Sequence, residues 1–222
     1  MWGRRSLGPA RRGPGHEVLA VDSSPAAVRS ARAKGVDARV VTWPMAAMQS
    51  FSQHFDAVVF ARSLHHIQPL GQTLDQVRRV LAPGGMVAIE DFAYSELDPA
   101  TANWFFDVLQ LLDASGVFRK SDREFGRRLL RGGGSFLFWH EAQDHEITPA
   151  VEMRAAVAQR FEIASEVREP YLYRYAVAML RATERGVAVA ERLYELEKKM
   201  ADKGLVRLIG RRLVGRKISI PE

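Results

Sequence analysis

The stretch EVLAVDSSPAAVRSARAKG, Glu17 to Gly35, decides the fold. Glu17 to Asp22 is a short apolar run ending in an acid, and Ser-Ser-Pro follows at once. A run of that length bounded by turn residues reads as a buried strand entering a turn. Ser24 is placed to cap a helix with Pro25 at its first position. Ala27, Val28 and Ala31 then recur at helical spacing until Lys34-Gly35 closes the segment. One strand followed by one helix is the unit from which the rest is read.

Downstream the unit repeats. Ala38 to Trp43 predicts a second strand and Phe55 to Ala61 (FDAVVFA) a third. Thr73 to Leu81 predicts a helix that stops at Pro83-Gly84-Gly85, and Met86 to Glu90 a fourth strand. Strands that are apolar on both faces and alternate with helices imply a parallel sheet covered on each side, the doubly wound α/β arrangement. In such sheets ligands bind beyond the carboxyl ends of the strands. The positions to inspect are therefore Asp22, Thr42 with Trp43, Ala61 to His66, and Glu90 with Asp91. After Asp91 the rhythm changes. A helical insertion is expected from Pro99 to about Arg131, with Trp104, Phe105, Val108, Leu111 and Leu112 on its apolar face, and Gly132 to Gly134 ending it. A helix from Pro149 to Gln159, a strand from Phe161 to Val167, helix again from Tyr171 to Lys203 and a last strand over Leu213 to Ile220 complete the pattern.

Composition bounds the classes of function. The chain has 222 residues, no cysteine and 47% hydrophobic residues, enough for one sizeable core, and no disulfide framework is available. No apolar run approaches the length of a membrane span. The net charge of +6 is concentrated at the two ends: four arginines without an acid in residues 1–15, and six basic residues without an acid in residues 203–217. The body between is mildly acidic and offers no continuous basic face, so no nucleic-acid partner is expected. Residues 1–15, rich in Arg, Gly and Pro, show neither a helical nor a strand period and read as an irregular basic segment, with the folded domain beginning at residue 16. No secretory core is seen, and the protein is expected in the cytoplasm.

The segments GHEVLAVDSSPAAVRSARAKG (residues 15–35), FDAVVFARSLHHI (55–67), VRRVLAPGGMVAIEDF (77–92) and PYLYRY (170–175) resemble the class I S-adenosylmethionine-dependent methyltransferases, particularly bacterial enzymes acting on small molecules. The resemblance implies a Rossmann-like sheet, S-adenosylmethionine as methyl donor and a small-molecule acceptor. It places Asp22, with Ser23 beside it, at the ribose hydroxyls of the cofactor, where two carboxylate oxygens accept two hydroxyl protons. The competing reading of Asp22 is a turn or capping aspartate. Thr42 and Trp43 fall where the family holds adenine, with Trp43 either stacking on the ring or packed in the core. Ala61, Arg62 and Ser63 match the loop passing the methionine part, and His65 falls where cofactor and acceptor meet. His140 and His145, framed by Phe136, Phe138 and Trp139, resemble the acceptor side, where a histidine takes a proton as general base; a solvated loop is the alternative. Trp139, Tyr171 and Tyr173 are expected to line the acceptor pocket with them. A histidine pair without further ligands predicts no metal.

One departure stands against these matches. The family opens with a strand and an acid-x-Gly-x-Gly-x-Gly turn that receives the methionine moiety. Here that turn would fall at about Met1 to Arg5, where only Gly3 agrees. The resemblance therefore implies that the central first strand is absent and that an upstream start has been displaced or frameshifted. Cofactor affinity would be impaired, and the alternative to an active enzyme is a catalytically inactive remnant serving as a binding module. A nicotinamide-dependent oxidoreductase would need a G-x-G-x-x-G turn after its first strand, which this chain lacks.

Overall fold

The computed structural model describes residues 16–41, 52–119 and 147–218, together with Leu130, Phe136 and Trp139. The opening unit forms as its residues dictate. Strand β1 is Leu19–Asp22 and helix α1 is Pro25–Arg32. Ser24 in extended conformation caps α1 by accepting the Ala27 N–H at 3.3 Å, and Pro25 occupies the first turn, where no amide donor is needed. Strand β2, Asp37–Val40, runs parallel to β1.

Strand β3 is Phe55–Ala61, with the limits its apolar run sets. Helix α2 spans Leu70–Val80 and starts three residues earlier than Thr73, its Thr73, Leu74, Val77 and Val80 facing the core. Strand β4 is longer than expected. It runs Leu81–Phe92 and absorbs Pro83-Gly84-Gly85 in a register break against β3, with Gly84 at φ +73 taking the left-handed conformation that side chains disfavour. Helix α3, Pro99–Ala114, is capped by the Asp98 carboxylate. It ends well short of Arg131, because Gly116 turns the chain and Phe118 bridges to Leu180. Leu111, assigned to its apolar face, is 71% exposed, and Ala102, Phe106 and Leu109 join Phe105 in the core instead. Helix α4 is Ala150–Ala158 and strand β5 Glu162–Glu169. The segment expected to be helical from Tyr171 to Lys203 holds two helices. Helix α5 is Tyr173–Val177 and α6 is Glu184–Asp202, parted by a non-helical stretch that Thr183 closes as the N-cap of α6. Strand β6 is Gly210–Arg216.

Among the described residues the strands form two sheets. One is β1-β2; the other is β3-β4-β6-β5, parallel between β3 and β4, with β6 antiparallel to both β4 and β5. The fold is α/β of the Rossmann-like kind with a partly antiparallel end. No described strand joins β1 to β3, although Leu19 and Val21 pack with Phe55 and Val58 around Val41 and Val80. The core proper lies on the larger sheet. Leu64, Leu74, Val77, Leu81, Val87 and Phe161 are buried under α2 and α4, and Gly215 of β6 leaves room for Phe161 and Val87, which an added Cβ would crowd. A second cluster gathers Phe105, Phe106, Leu109, Trp139, Leu172 and Ile209 around α3, α5 and α6.

Candidate active site

The carboxyl ends of β3 and β4 bring the site together. Past Ala61 the chain turns through Arg62, whose backbone is left-handed (φ 57) and whose N–H donates to Glu90 O at 2.7 Å. Ser63 then leads into the short 3₁₀ turn Leu64–His66. A non-glycine residue held left-handed at the end of a strand is a strained feature that surrounding structure must enforce. Its consequence is that His65 lies over β4. His65 is 5% exposed and Asp91 1%, and His65 Nδ1 is 2.6 Å from Asp91 Oδ1. Asp91 Oδ2 also accepts the His65 backbone N–H at 3.3 Å, so one carboxylate fixes both the ring and its peptide. Thr148 N–H closes on His65 O at 2.9 Å.

A carboxylate opposite Nδ1 places the proton on that nitrogen, which leaves the Nε2 lone pair of neutral His65 as the acceptor. The ring is braced by the edge of Phe92 at 5.0 Å and by His66 at 3.8 Å between centroids. Tyr171 stacks on the far side of the same wall, 4.6 Å from Phe92 and 8° from parallel. Burial pushes the Tyr171 phenol up, with Asp91 adding to the rise and Arg62 and Arg174 opposing it. Burial likewise pushes Tyr173 up, and Tyr175 far up.

What holds the tyrosines is Glu197, buried on α6. Its carboxylate accepts the backbone N–H groups of Tyr171 at 2.7 Å, Leu172 at 3.1 Å and Tyr173 at 3.0 Å, capping the start of α5 from a distance in sequence. Burial raises the Glu197 carboxyl above its ordinary value, and the three amides pull it back only in part. Sequence reasoning missed Glu197 because a glutamate in an amphipathic helix carries no sign of burial. Asp91 was singled out for its place at a strand end, but not as the partner of His65.

The remaining candidates divide. Asp22 ends β1 with its side chain exposed, and its Oδ1 accepts the Ser24 N–H at 2.7 Å. That is the turn role, and it occupies one oxygen, while Oδ2 accepts no hydrogen bond among the described residues. Ser23 is exposed beside it. Ala61 and Arg62 stand at the end of β3 as expected. Trp139, expected in the pocket wall, is fully buried in the second core cluster, its indole N–H donating to Tyr94 O at 3.2 Å and its ring edge-on to Tyr175. Thr42, Trp43, His140, His145 and residues 1–15 lie outside the described residues. Among the described residues no cluster of three or more His, Cys, Asp or Glu side chains is arranged for a metal, and no helix is long and apolar enough to cross a membrane. A hollow of about 490 Å³ lined by Asp98, Arg168, Asp202 and Arg207 lies elsewhere and shares none of the site residues.

Residues 3–89 match the profile of the family described as "Methyltransferase domain". Over those 87 of its 222 residues the chain is similar to methyltransferases. The match begins at residue 3, within the opening segment that the sequence motifs alone left outside the resemblance. Solved structures similar to this chain include the PH0226 protein from Pyrococcus horikoshii OT3, at 16% identity over 91% of this chain and 72% of that one, TM-score 0.49. The S-adenosylmethionine-dependent methyltransferase from Mesorhizobium loti shares 14% identity over 90% and 79%, TM-score 0.48. Geranyl diphosphate C-methyltransferase from Streptomyces coelicolor A3(2) shares 12% over 92% and 63%, TM-score 0.49.

Proposed function

We propose that the chain transfers a methyl group to a small acceptor whose departing proton is taken by His65. The observation that carries this reading is the buried 2.6 Å bond between His65 Nδ1 and Asp91 Oδ1 at the carboxyl ends of β3 and β4. S-adenosylmethionine, when bound, supplies an electrophilic methyl carbon on a sulfonium. The acceptor would receive that methyl group on a lone pair, and the chain's own residues would handle its proton. The acceptor proton passes to His65 Nε2, and Asp91 steadies the imidazolium so formed. Asp22 Oδ2 is suited to a ribose hydroxyl, Ser23 flanks it, and Ala61 with Arg62 faces the methionine end.

The missing glycine-rich motif limits the same reading, since only Gly3 agrees with the acid-x-Gly-x-Gly-x-Gly pattern in residues 1–5. We infer that the 222-residue chain binds S-adenosylmethionine weakly. The same mismatch favours a second reading, a methyltransferase fold serving as a binding module with little cofactor affinity. Calorimetric titration with S-adenosylhomocysteine separates them. Binding that Asp22→Ala abolishes supports the enzyme, whereas no binding up to millimolar ligand supports the module. Micromolar binding by the unextended chain would overturn the inferred impairment.

A further inference from the structure

Three of the described helices follow a Ser, Asp or Thr joined to proline: Ser24-Pro25 before α1, Asp98-Pro99 before α3 and Thr148-Pro149 before α4. The first two do what that pattern predicts. Ser24 accepts the Ala27 N–H and Asp98 accepts the Thr101 N–H. Thr148 departs from it, and α4 opens without a side-chain cap. The Thr148 hydroxyl oxygen instead accepts Gln68 Nε2–H at 2.6 Å, while its backbone N–H donates to His65 O at 2.9 Å. A local rule broken at one helix start of three marks a group put to use elsewhere. That use lies at the candidate site. The ring Nδ1 and the backbone N–H of His65 both meet Asp91, and two bonds to one carboxylate still leave a rotation about it. The bond from Thr148 is a third, from another direction, and it ties the Leu64–His66 turn to the start of α4. Thr148 is buried, so water does not replace a lost partner. Gln68 is anchored in turn, its Oε1 accepting the Leu70 N–H in the first turn of α2 at 3.3 Å.

We infer that Thr148, tethered by Gln68, is a positioning residue for His65, holding Nε2 in the direction from which it takes the acceptor's proton. The inference rests on the proposed role of His65 as base and adds the two residues that aim it. Both act through His65, as groups behind a reacting side chain do when they lock its orientation.

The test uses the full chain and needs neither cofactor nor acceptor. Proton NMR follows the His65 Nδ1–H that faces Asp91 and measures its rate of exchange with water. Thr148→Val keeps the size and the backbone N–H but removes the oxygen that Gln68 holds, and it should speed that exchange about tenfold or more. Gln68→Leu, at an exposed position where the core is untouched, should do the same. The double variant should be no faster than either single one, because both break one contact. Thr148→Ser, which keeps the hydroxyl, should restore the native rate. Leu109→Ala empties a buried position in the second core cluster and reports what general loss of stability does; its Nδ1–H should stay within about threefold of native. Native exchange in both Thr148→Val and Gln68→Leu, or an equal acceleration in Leu109→Ala, overturns the inference and leaves the proposed base standing. A native chain with no protected Nδ1–H removes the base itself, and the inference with it.

Discussion

Two stretches of nearly the same composition meet different fates in this molecule. EVLAVD leads into β1 of the two-stranded sheet and FDAVVFA forms β3 of the four-stranded one, yet neither is buried on both faces as a continuous apolar run predicts. In β1, Leu19, Ala20 and Val21 are only partly covered. In β3, Phe60 is buried while Val59 is 67% exposed. Strand β4, paired on both edges, buries Leu81, Val87 and Ile89. The difference teaches that burial of a strand is set by its neighbours. Among the described residues nothing pairs the facing edges of β1 and β3, and their apolar residues are less covered than those of β4.

The largest expected effect comes from supplying the motif that the sequence lacks. An amino-terminal extension carrying a strand and a glycine-rich turn should raise affinity for S-adenosylhomocysteine by about a hundredfold, as read by calorimetry. No gain would mean that the chain does not depend on such a turn.

Truncating one leucine in each sheet measures the contrast directly. Leu81→Ala empties a fully buried position and should cost about 3 kcal/mol, whereas Leu19→Ala in the smaller sheet should cost about 1 kcal/mol. Hydrogen exchange should likewise find β4 amides opening only with global unfolding, and β1 and β2 amides exchanging at least a hundredfold faster. Equal losses would erase the distinction between the sheets.

Chemistry should divide along the same line. In an extended, active chain, Asp91→Asn leaves His65 without its carboxylate and should lower turnover about a hundredfold, near 2.7 kcal/mol, with cofactor affinity nearly unchanged. Asp22→Ala should do the reverse, weakening cofactor while sparing the rate at saturation. An Asp91→Asn variant that loses cofactor binding in proportion would assign the pair to structure.

The smallest effect belongs to Glu197. Burial raises its carboxyl above the ordinary 4.5, so the folded chain favours the protonated form. That contribution is full below pH 4.5 and is lost as pH rises through the raised value, so it acts against stability at neutral pH. Plotted against pH, the stability difference between the native chain and Glu197→Gln should fall across that window, over a constant offset from the misplaced amide. A flat difference would show that three backbone N–H groups compensate the burial completely.

Much of the fold was legible because its signals are local. The Ser24-Pro25 helix start, the limits of β3 and the α4 helix depend on groups within a few residues of one another, and each formed as read. The site was legible only in part. The strand ends marked Ala61 to His66 and Glu90 with Asp91, but the contact that matters joins residues 26 apart. Trp139 read as a pocket residue because aromatic clusters look alike in sequence, whether they bind ligand or pack a core.

The sequence by itself therefore determined the succession of strands and helices, the caps, the resemblance to methyltransferases and the lack of a glycine-rich turn. Tertiary structure alone decided that β6 runs antiparallel, that Asp91 grips His65 and that Glu197 caps α5 from α6. The physical reason is one of range. Periodicity, capping and turn chemistry act over one or two turns of chain, whereas strand order and the pairing of buried polar groups are settled only when segments far apart in sequence compete for the same edges and the same donors.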